Sequence, residues 1–384
     1  MGLNFQFATA SKIIVGKNSV EKIPELIKDF GRNVLLVTGK NEDRVQQLTS
    51  LLPEKVKVSV FKIPSEPTTH LINEGVEFAR KKECEVVIGF GGGSVIDSAK
   101  AISALVPNKG ELLDFLEVIG KGQPLTERPL PCIAVPTTSG TGAEVTKNSV
   151  IKSPEHQVKV SLRSELMYPD VAVVDPVLAR SMPTDITTTT GVDALTHLLE
   201  TFVSNQSNPF IDMFCRDGMQ RISRSLVKAC NNGDDLDARE DMALASMMGG
   251  MALANVKLGA VHGFAGPMGG MFPMPHGAVC ACLLPPVMEI NLEALTEIND
   301  TKRIEKYDEL AKILTGNSNA AATDGVTWVE NLVQELKIPK LSQFGVSKKD
   351  FETLTSKAKV ASSMKGNPIK LGDDKLRRIL EKSV

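Results

Sequence analysis

Two kinds of periodicity divide the chain. In the first half, short apolar runs alternate with segments of helical spacing. Asn33–Thr38 (NVLLVT) is a buried-strand run that stops at Gly39, and residues 55–63 (KVKVSVFKI) alternate with period two. Residues 85–90 (EVVIGF) run directly into Gly91, Gly92 and Gly93; residues 131–135 (PCIAV) end at Pro136, and Val171–Val174 ends at Asp175. Between them, residues 19–29, Thr69–Lys81 and residues 94–105 read as helices. Strands separated by helices predict a parallel, Rossmann-like sheet covered on both faces, with ligands beyond the carboxyl ends of its strands. After Met182 the texture changes. Helical spacing covers residues 191–204, 210–229, 236–251, 292–314, 321–336, 348–361 and 374–382. The expected organisation is an α/β domain over residues 1–182 followed by an all-α domain over residues 183–384. No flexible linker separates them, so a shared interface and cleft are expected.

The length, 384 residues, suits about two domains. Hydrophobic residues make up 42% and charged residues 23%, a globular rather than a disordered composition. A net charge of -2 and 4% aromatics argue against nucleic acid or an anionic membrane as partner. No segment approaches the roughly 20 apolar residues of a membrane span. The longest candidate, residues 278–290, is short and broken by Pro285 and Pro286. Residues 1–11 lack the basic and apolar regions of a signal peptide. The 6 cysteines form no CxxC pair, and most sit in apolar surroundings, as buried reduced thiols of a cytoplasmic protein do.

The triple glycine is the first chemical signal. A buried strand enters it, a helix starts near Ser94, and missing side chains let the backbone approach another group closely. The helix N-terminus offers free N–H groups and partial positive charge, so a pyrophosphate fits there, around Gly92 and Gly93. Asp97 stands where a first-turn carboxylate can cap those N–H groups. Taken alone, the turn also fits a tight structural connection. A second loop, residues 136–146 (PTTSGTGAEVT), follows the next strand and gathers hydroxyls and glycines. Two such loops at one sheet end favour a nucleotide.

Histidine is the second signal, because there are only 5. Asp193 and His197 lie four positions apart in a helix, on one face, a spacing that suits a metal or a simple hydrogen bond. His262 and His276 sit in residues 259–277 (GAVHGFAGPMGGMFPMPHG), on separate elements because Pro273 and Pro275 break the helix. Each alone fits a core histidine. Together, one carboxylate and three imidazoles suit Fe(II), Zn(II) or a similar ion. A thiolate-based site would need cysteines that this chain does not place. His70 and His156 have polar neighbours and read as surface residues.

At these residues the chain resembles the iron-containing (group III) alcohol dehydrogenases, over nearly its whole length. The shared features are the GGGS turn (Gly91 to Ser94), the PTT-rich loop, and a stretch opened by Asp175 and Pro176, passing Pro183, and closed by Asp193, Ala194, His197 and Glu200. They also include the H-x13-H pair His262 and His276, ending in PHG, and residues 362–368 (SSMKGNP). The resemblance implies a dinucleotide-binding α/β domain, an α-helical metal domain and an active site in the cleft between them. It implies that Asp193, His197, His262 and His276 bind the metal. Gly93, Ser94, Thr137, Thr138, Thr141 and Thr146 would line the cofactor, Lys159 would stand near its ribose, and Leu178 and Met182 along its path. Family members are commonly homodimers or larger homo-oligomers.

The implied activity is metal-dependent NAD(P) alcohol dehydrogenation, or aldehyde reduction, on a small alcohol or aldehyde. Dehydroquinate synthase-like lyases share the architecture, but their polyanionic substrate needs basic groups that residues 259–277 lack. A non-catalytic nucleotide-binding protein is the third reading. One departure stands out: many members carry HGxAH, and here Gly266 replaces the second histidine. Cofactor choice turns on Gly39, where many NAD-preferring relatives carry Asp. With no carboxylate there and Lys40 next to it, NADP(H) is expected to serve at least as well as NAD(H).

Overall fold

The computed structural model describes residues 4–156 and 158–384. The first three residues of the 1–11 segment lie outside it. The chain divides into two compact units. One comprises residues 9–138 and 142–182, and the other residues 4–8, 139–141 and 183–384.

The first unit contains β1 (Lys12–Val15), β2 (Asn33–Thr38), β3 (Lys57–Lys62), β4 (Val86–Gly91), β5 (Cys132–Pro136), β6 (Asn148–Ser153), β7 (Val158–Arg163) and β8 (Val171–Val174). Its helices are α1 (Ile23–Leu26), α2 (Glu42–Thr49), α3 (Thr69–Lys81), α4 (Gly93–Leu105) and α5 (Leu112–Phe115). Six strands form a parallel sheet in the order β1-β8-β5-β4-β2-β3, and β6 and β7 pair as an antiparallel hairpin. Side chains alternate between the two faces of β2. Leu35 and Val37 pack with Ile72, Val76 and Ile102, whereas Val34 and Leu36 pack with Ile23, Ile27 and Leu48.

This strand order places a switch point between neighbouring β2 and β4. The chain leaves β2 toward β3 on one side and leaves β4 toward β5 on the other. A crevice therefore opens at their carboxyl ends. Thr38 pairs with Phe90 and Gly91 with Pro136, so Gly39, Gly92 and Thr137 follow three adjacent strand ends.

The second unit is helical: α6 (Thr184–Val203), α7 (Pro209–Asn231), α8 (Leu236–Asn255), α9 (Ala260–Met271), α10 (His276–Glu297), α11 (Thr301–Thr315), α12 (Ala322–Glu335), α13 (Phe351–Val360) and α14 (Asp373–Ser383). One continuous apolar core joins them.

Several expectations need correction. Residues 19–29 are not one helix: short 3-10 turns flank the four-residue α1, which carries Pro24 near its start. Residues 292–314 are not one helix either. Asn299 takes a left-handed φ of 54°, and Asp300 then caps α11 by accepting from the Arg303 N–H at 3.1 Å. Pro285 and Pro286 do not break the apolar segment around them. Helix α10 runs through both for 22 residues, long and apolar enough by composition to cross a membrane. Its flanks explain this, since Leu283, Leu284, Val287, Met288 and Ile290 are all buried. Packing of that many apolar side chains outweighs the roughly 3 kcal/mol local cost of an interior proline.

Candidate metal centre and nucleotide turn

The metal candidates come from three helices of the second unit. Helix α6 opens with a threonine run whose hydroxyls donate back along the helix. Thr187 reaches Pro183 O at 3.0 Å, Thr189 reaches Asp185 O at 2.9 Å and Thr190 reaches Ile186 O at 2.7 Å. Otherwise poor helix formers thus satisfy themselves and carry the helix to Asp193 and His197, one turn apart. Helix α9 starts at Ala260 because other residues take up its first N–H groups. Glu200 Oε1 accepts from Val261 N at 2.7 Å, Glu200 Oε2 from His262 N at 3.3 Å, and Asn367 Oδ1 from Ala260 N at 3.1 Å. Helix α10 begins at His276, directly after Pro275.

These starts bring the four side chains together. Asp193 Oδ1 lies 3.8 Å from His197 Nε2, 3.7 Å from His262 Nε2 and 3.6 Å from His276 Nε2. The His197 and His262 rings stack at 4.7 Å between centroids, and those of His262 and His276 lie at 5.3 Å. Asp193, His197 and His262 are buried, and the His276 side chain is 39% exposed. That exposure marks the open side of the cluster.

A divalent ion fits this donor set. Asp193 Oδ1 is buried with no hydrogen-bond partner, a costly state unless something else meets it. The three imidazole nitrogens are too far for hydrogen bonds yet all face the same oxygen. His262 Nδ1 is engaged by Glu200 Oε2 at 2.7 Å, which leaves Nε2 to face the cluster. Burial pushes the Asp193 carboxyl up, but His197, His276 and His262 outweigh it and hold the group well below the usual carboxylate range. Burial pushes His197 down to about 4, against the pull of Asp193, so its ring is neutral at pH 7.

Cys280 corrects one expectation, that no cysteine would stand at the site. It follows His276 by one turn of α10, with Sγ 3.7 Å from His276 Nε2 and 3.8 Å from His262 Nε2. The available signal was the spacing of four between His276 and Cys280, the same spacing that singled out Asp193 and His197. A search for CxxC pairs passes over it.

In the first unit, Gly92 is the N-cap of α4 and, as a glycine, has no side chain with which to cap it. Asp97 is directed elsewhere. Its carboxylate accepts from Val150 N at 2.9 Å and pairs with Lys100 at 3.0 Å. The helix lies close on β4: a Cβ at Gly91 would meet Val95 at 2.6 Å and one at Gly89 would meet Ala99 at 2.7 Å. Thr138 stands 3.3 Å from where a Gly92 Cβ would be. Around Gly39 such a Cβ would meet nothing within 4 Å. Other expected cofactor residues are already engaged. The Thr146 hydroxyl is buried and accepts from Lys100 at 2.9 Å, Lys159 pairs with Glu66, and Leu178 belongs to the sheet core. Met182 is buried, its N–H donating to Ala179 O at 3.1 Å. Thr141 stands with the helical unit, in residues 139–141.

Residues 10–176 match the family described as iron-containing alcohol dehydrogenase, and residues 187–384 match the C-terminal part of the Fe-containing alcohol dehydrogenase family. The chain belongs to the iron-containing alcohol dehydrogenases. It is 31% identical to 1,3-propanediol dehydrogenase of Citrobacter freundii, over 99% of this chain and 98% of that protein. It is 32% identical to NAD-dependent methanol dehydrogenase of Bacillus methanolicus, over 95% of each. The crystal structure of a 1,3-propanediol oxidoreductase superposes with a TM-score of 0.92 at 30% identity, over 100% of both chains. The protein is thus an alcohol dehydrogenase of the iron-containing kind, and the lyase and non-catalytic readings fall away.

This alcohol dehydrogenase holds further residues that the sequence did not reveal. Arg44, in the first turn of α2 beyond Gly39, reaches Thr137 Oγ1 at 2.7 Å and Ser181 Oγ at 3.1 Å. It spans from the end of β2 to the end of β5, across the carboxyl end of β4. Asn367, in the SSMKGNP segment, holds the start of α9 and donates to Asn291 Oδ1 at 2.8 Å.

Proposed function

We propose that Asp193, His197, His262 and His276 hold one divalent ion, Fe(II) or Zn(II), and that the chain interconverts a small neutral alcohol and its aldehyde. NADP(H) serves at least as well as NAD(H). The observation that carries the metal assignment is Asp193 Oδ1, buried without a hydrogen-bond partner and faced by three imidazole nitrogens at 3.6–3.8 Å. When bound, the ion supplies Lewis acidity to the substrate oxygen, and the nicotinamide takes or gives the hydride.

The chain's own residues do the rest. Glu200 fixes the His262 tautomer and turns Nε2 toward the site. Asp193 contributes the negative charge that offsets a dication. The half-exposed His276 edge admits the substrate, and residues 259–277, free of Lys, Arg, Asp and Glu, select a neutral one. Gly266 leaves no imidazole one turn after His262, so the proton passes to water or a ribose hydroxyl. In this reading residues 1–182 are the dinucleotide-binding domain and residues 183–384 the metal domain. The uncapped start of α4 at Gly92, Gly93 and Ser94 takes the pyrophosphate, beside Thr137 and Thr138. Gly39 and Arg44 stand where a 2′-phosphate is accommodated. Thr141, Thr146, Lys159, Leu178 and Met182 complete the cofactor assignment by family resemblance. A homodimer or larger assembly in the cytoplasm belongs to the same reading, on family membership alone.

The test is to load the purified, metal-free protein with Fe(II) or Zn(II) and follow NADPH and NADH oxidation. The aldehyde panel includes those of 1,3-propanediol and methanol, the alcohols named for relatives. Metal-dependent oxidation of NADPH by a neutral aldehyde is expected. Turnover that needs no metal would overturn the reading.

A further inference from the structure

Cys280 differs from the chain's other cysteines in its company. Asp193, His262, His276 and Cys280 each offer one donor atom, and these atoms lie within 4.8 Å of one another. Cys280 is fully buried, and its Sγ stands 3.7 and 3.8 Å from two imidazole Nε2 atoms. The unpartnered Asp193 Oδ1, also buried, is an independent sign that the centre of this group suits a ligand. A thiol donating to an imidazole nitrogen is a weak interaction, and here one Sγ approaches two such nitrogens. The spacing does match shared coordination. With metal–nitrogen bonds of about 2.0–2.1 Å and metal–sulfur bonds of about 2.3 Å, an N and an S donor whose bonds to one ion open by about 110° sit roughly 3.5 Å apart. The observed separations exceed this by only a few tenths of an ångström.

We propose that Cys280 Sγ is a further donor to the ion held by Asp193, His197, His262 and His276, and that it biases the site toward Zn(II) and Co(II) over Fe(II). The inference rests on the metal reading given above. A thiolate is a soft ligand, and softness is what separates zinc-favouring from iron-favouring sets once geometry is common to both. On binding, the S–H bond breaks, the proton leaves to bulk water, and the sulfur lone pair forms the bond to the ion. No atom changes oxidation state. The site is then neither the nitrogen-and-oxygen set expected from the sequence nor a thiolate site of the structural zinc kind.

The experiment uses the full chain, stripped of metal and reloaded with Co(II). Wild type is expected to show visible d–d bands together with a near-ultraviolet sulfur-to-cobalt charge-transfer band. Cys280→Ser and Cys280→Ala should keep the d–d bands and lose the charge-transfer band. Under anaerobic competition between equal Fe(II) and Zn(II), the retained Zn:Fe ratio should fall by about tenfold in Cys280→Ala, no less than the loss of a group that merely supports a ligand costs. X-ray absorption of the zinc-loaded wild type needs no variant and should show a sulfur scatterer at about 2.3 Å. Cobalt d–d bands without charge transfer, or no sulfur scatterer, would overturn the role of Cys280 and leave the Asp–His site standing. Absence of any cobalt spectrum would overturn the site itself, and the proposal with it.

Discussion

Glu200 Oε2 lies 2.7 Å from His262 Nδ1, while Oε1 accepts the Val261 N–H at 2.7 Å. One buried carboxylate therefore fixes both the imidazole and the first turn of the helix that carries it. Glu200→Gln is close in shape but exchanges a charged acceptor for an amide. It should lower metal affinity by about 10–100-fold, the usual range for such supporting groups. Chelator competition measures this, with circular dichroism to verify that the helices persist. Unchanged affinity would show that the Glu200 contact does not orient the ligand.

Cofactor choice is tested at Gly39, where a side chain would meet nothing within 4 Å. Gly39→Asp should fold normally and shift the NADP(H)/NAD(H) ratio of kcat/KM toward NAD(H) by at least about tenfold, or about 1.4 kcal/mol. A ratio that does not move would show that this position does not read the 2′ group.

Gly266 is exposed, with open space where its Cβ would be. Gly266→His should therefore alter the pH profile of turnover or the aldehyde preference, and leave metal content unchanged. Loss of metal as the main effect would place this position among the metal's own neighbours.

Glu144, in the PTT-rich loop, predicts a pH dependence of stability. Burial pushes its carboxyl up to about 7, against a backbone hydrogen bond and Lys100, which draw it down. The folded state therefore holds this proton where the unfolded chain has lost it. Its contribution is present in full below the unfolded value of about 4.5, shrinks as pH rises, and is gone above about 7. The size is at most roughly 3 kcal/mol. Glu144→Gln should gain stability relative to wild type between pH 5 and 8, as denaturant melts across that range would report. Parallel pH curves for the two proteins would contradict it.

Much of the fold was legible because burial leaves a pattern in sequence. Strands β2, β4, β5 and β8 are covered on both faces and read as unbroken apolar runs. The hairpin of β6 and β7 was not legible, since its residues (NSVIKS, VKVSLR) are half polar and its pairing is antiparallel. Helix α2 (EDRVQQLT) carries only one fully buried residue, Leu48, and so has little periodicity to read. In α10 the local rule pointed the wrong way, because tertiary packing overrides two prolines. At the site, scarcity made the histidines visible. Supporting partners other than Glu200 were invisible as such: Asn367, which caps the start of the helix carrying His262, lies more than a hundred residues from it, and at the nucleotide turn Arg44 reaches Thr137 across 93 positions. Asp97 was legible as a charge near a helix start but not in its direction, which the buried Lys100 and the edge of β6 decide.

The most direct measurement is the metal content of purified wild type, His262→Ala and His276→Ala, each loaded under identical anaerobic conditions and desalted. Stoichiometric metal is expected in wild type, with a loss of at least about tenfold in both variants and unchanged helical circular dichroism. Full metal in both variants, with their fold intact, would contradict the assignment of the site.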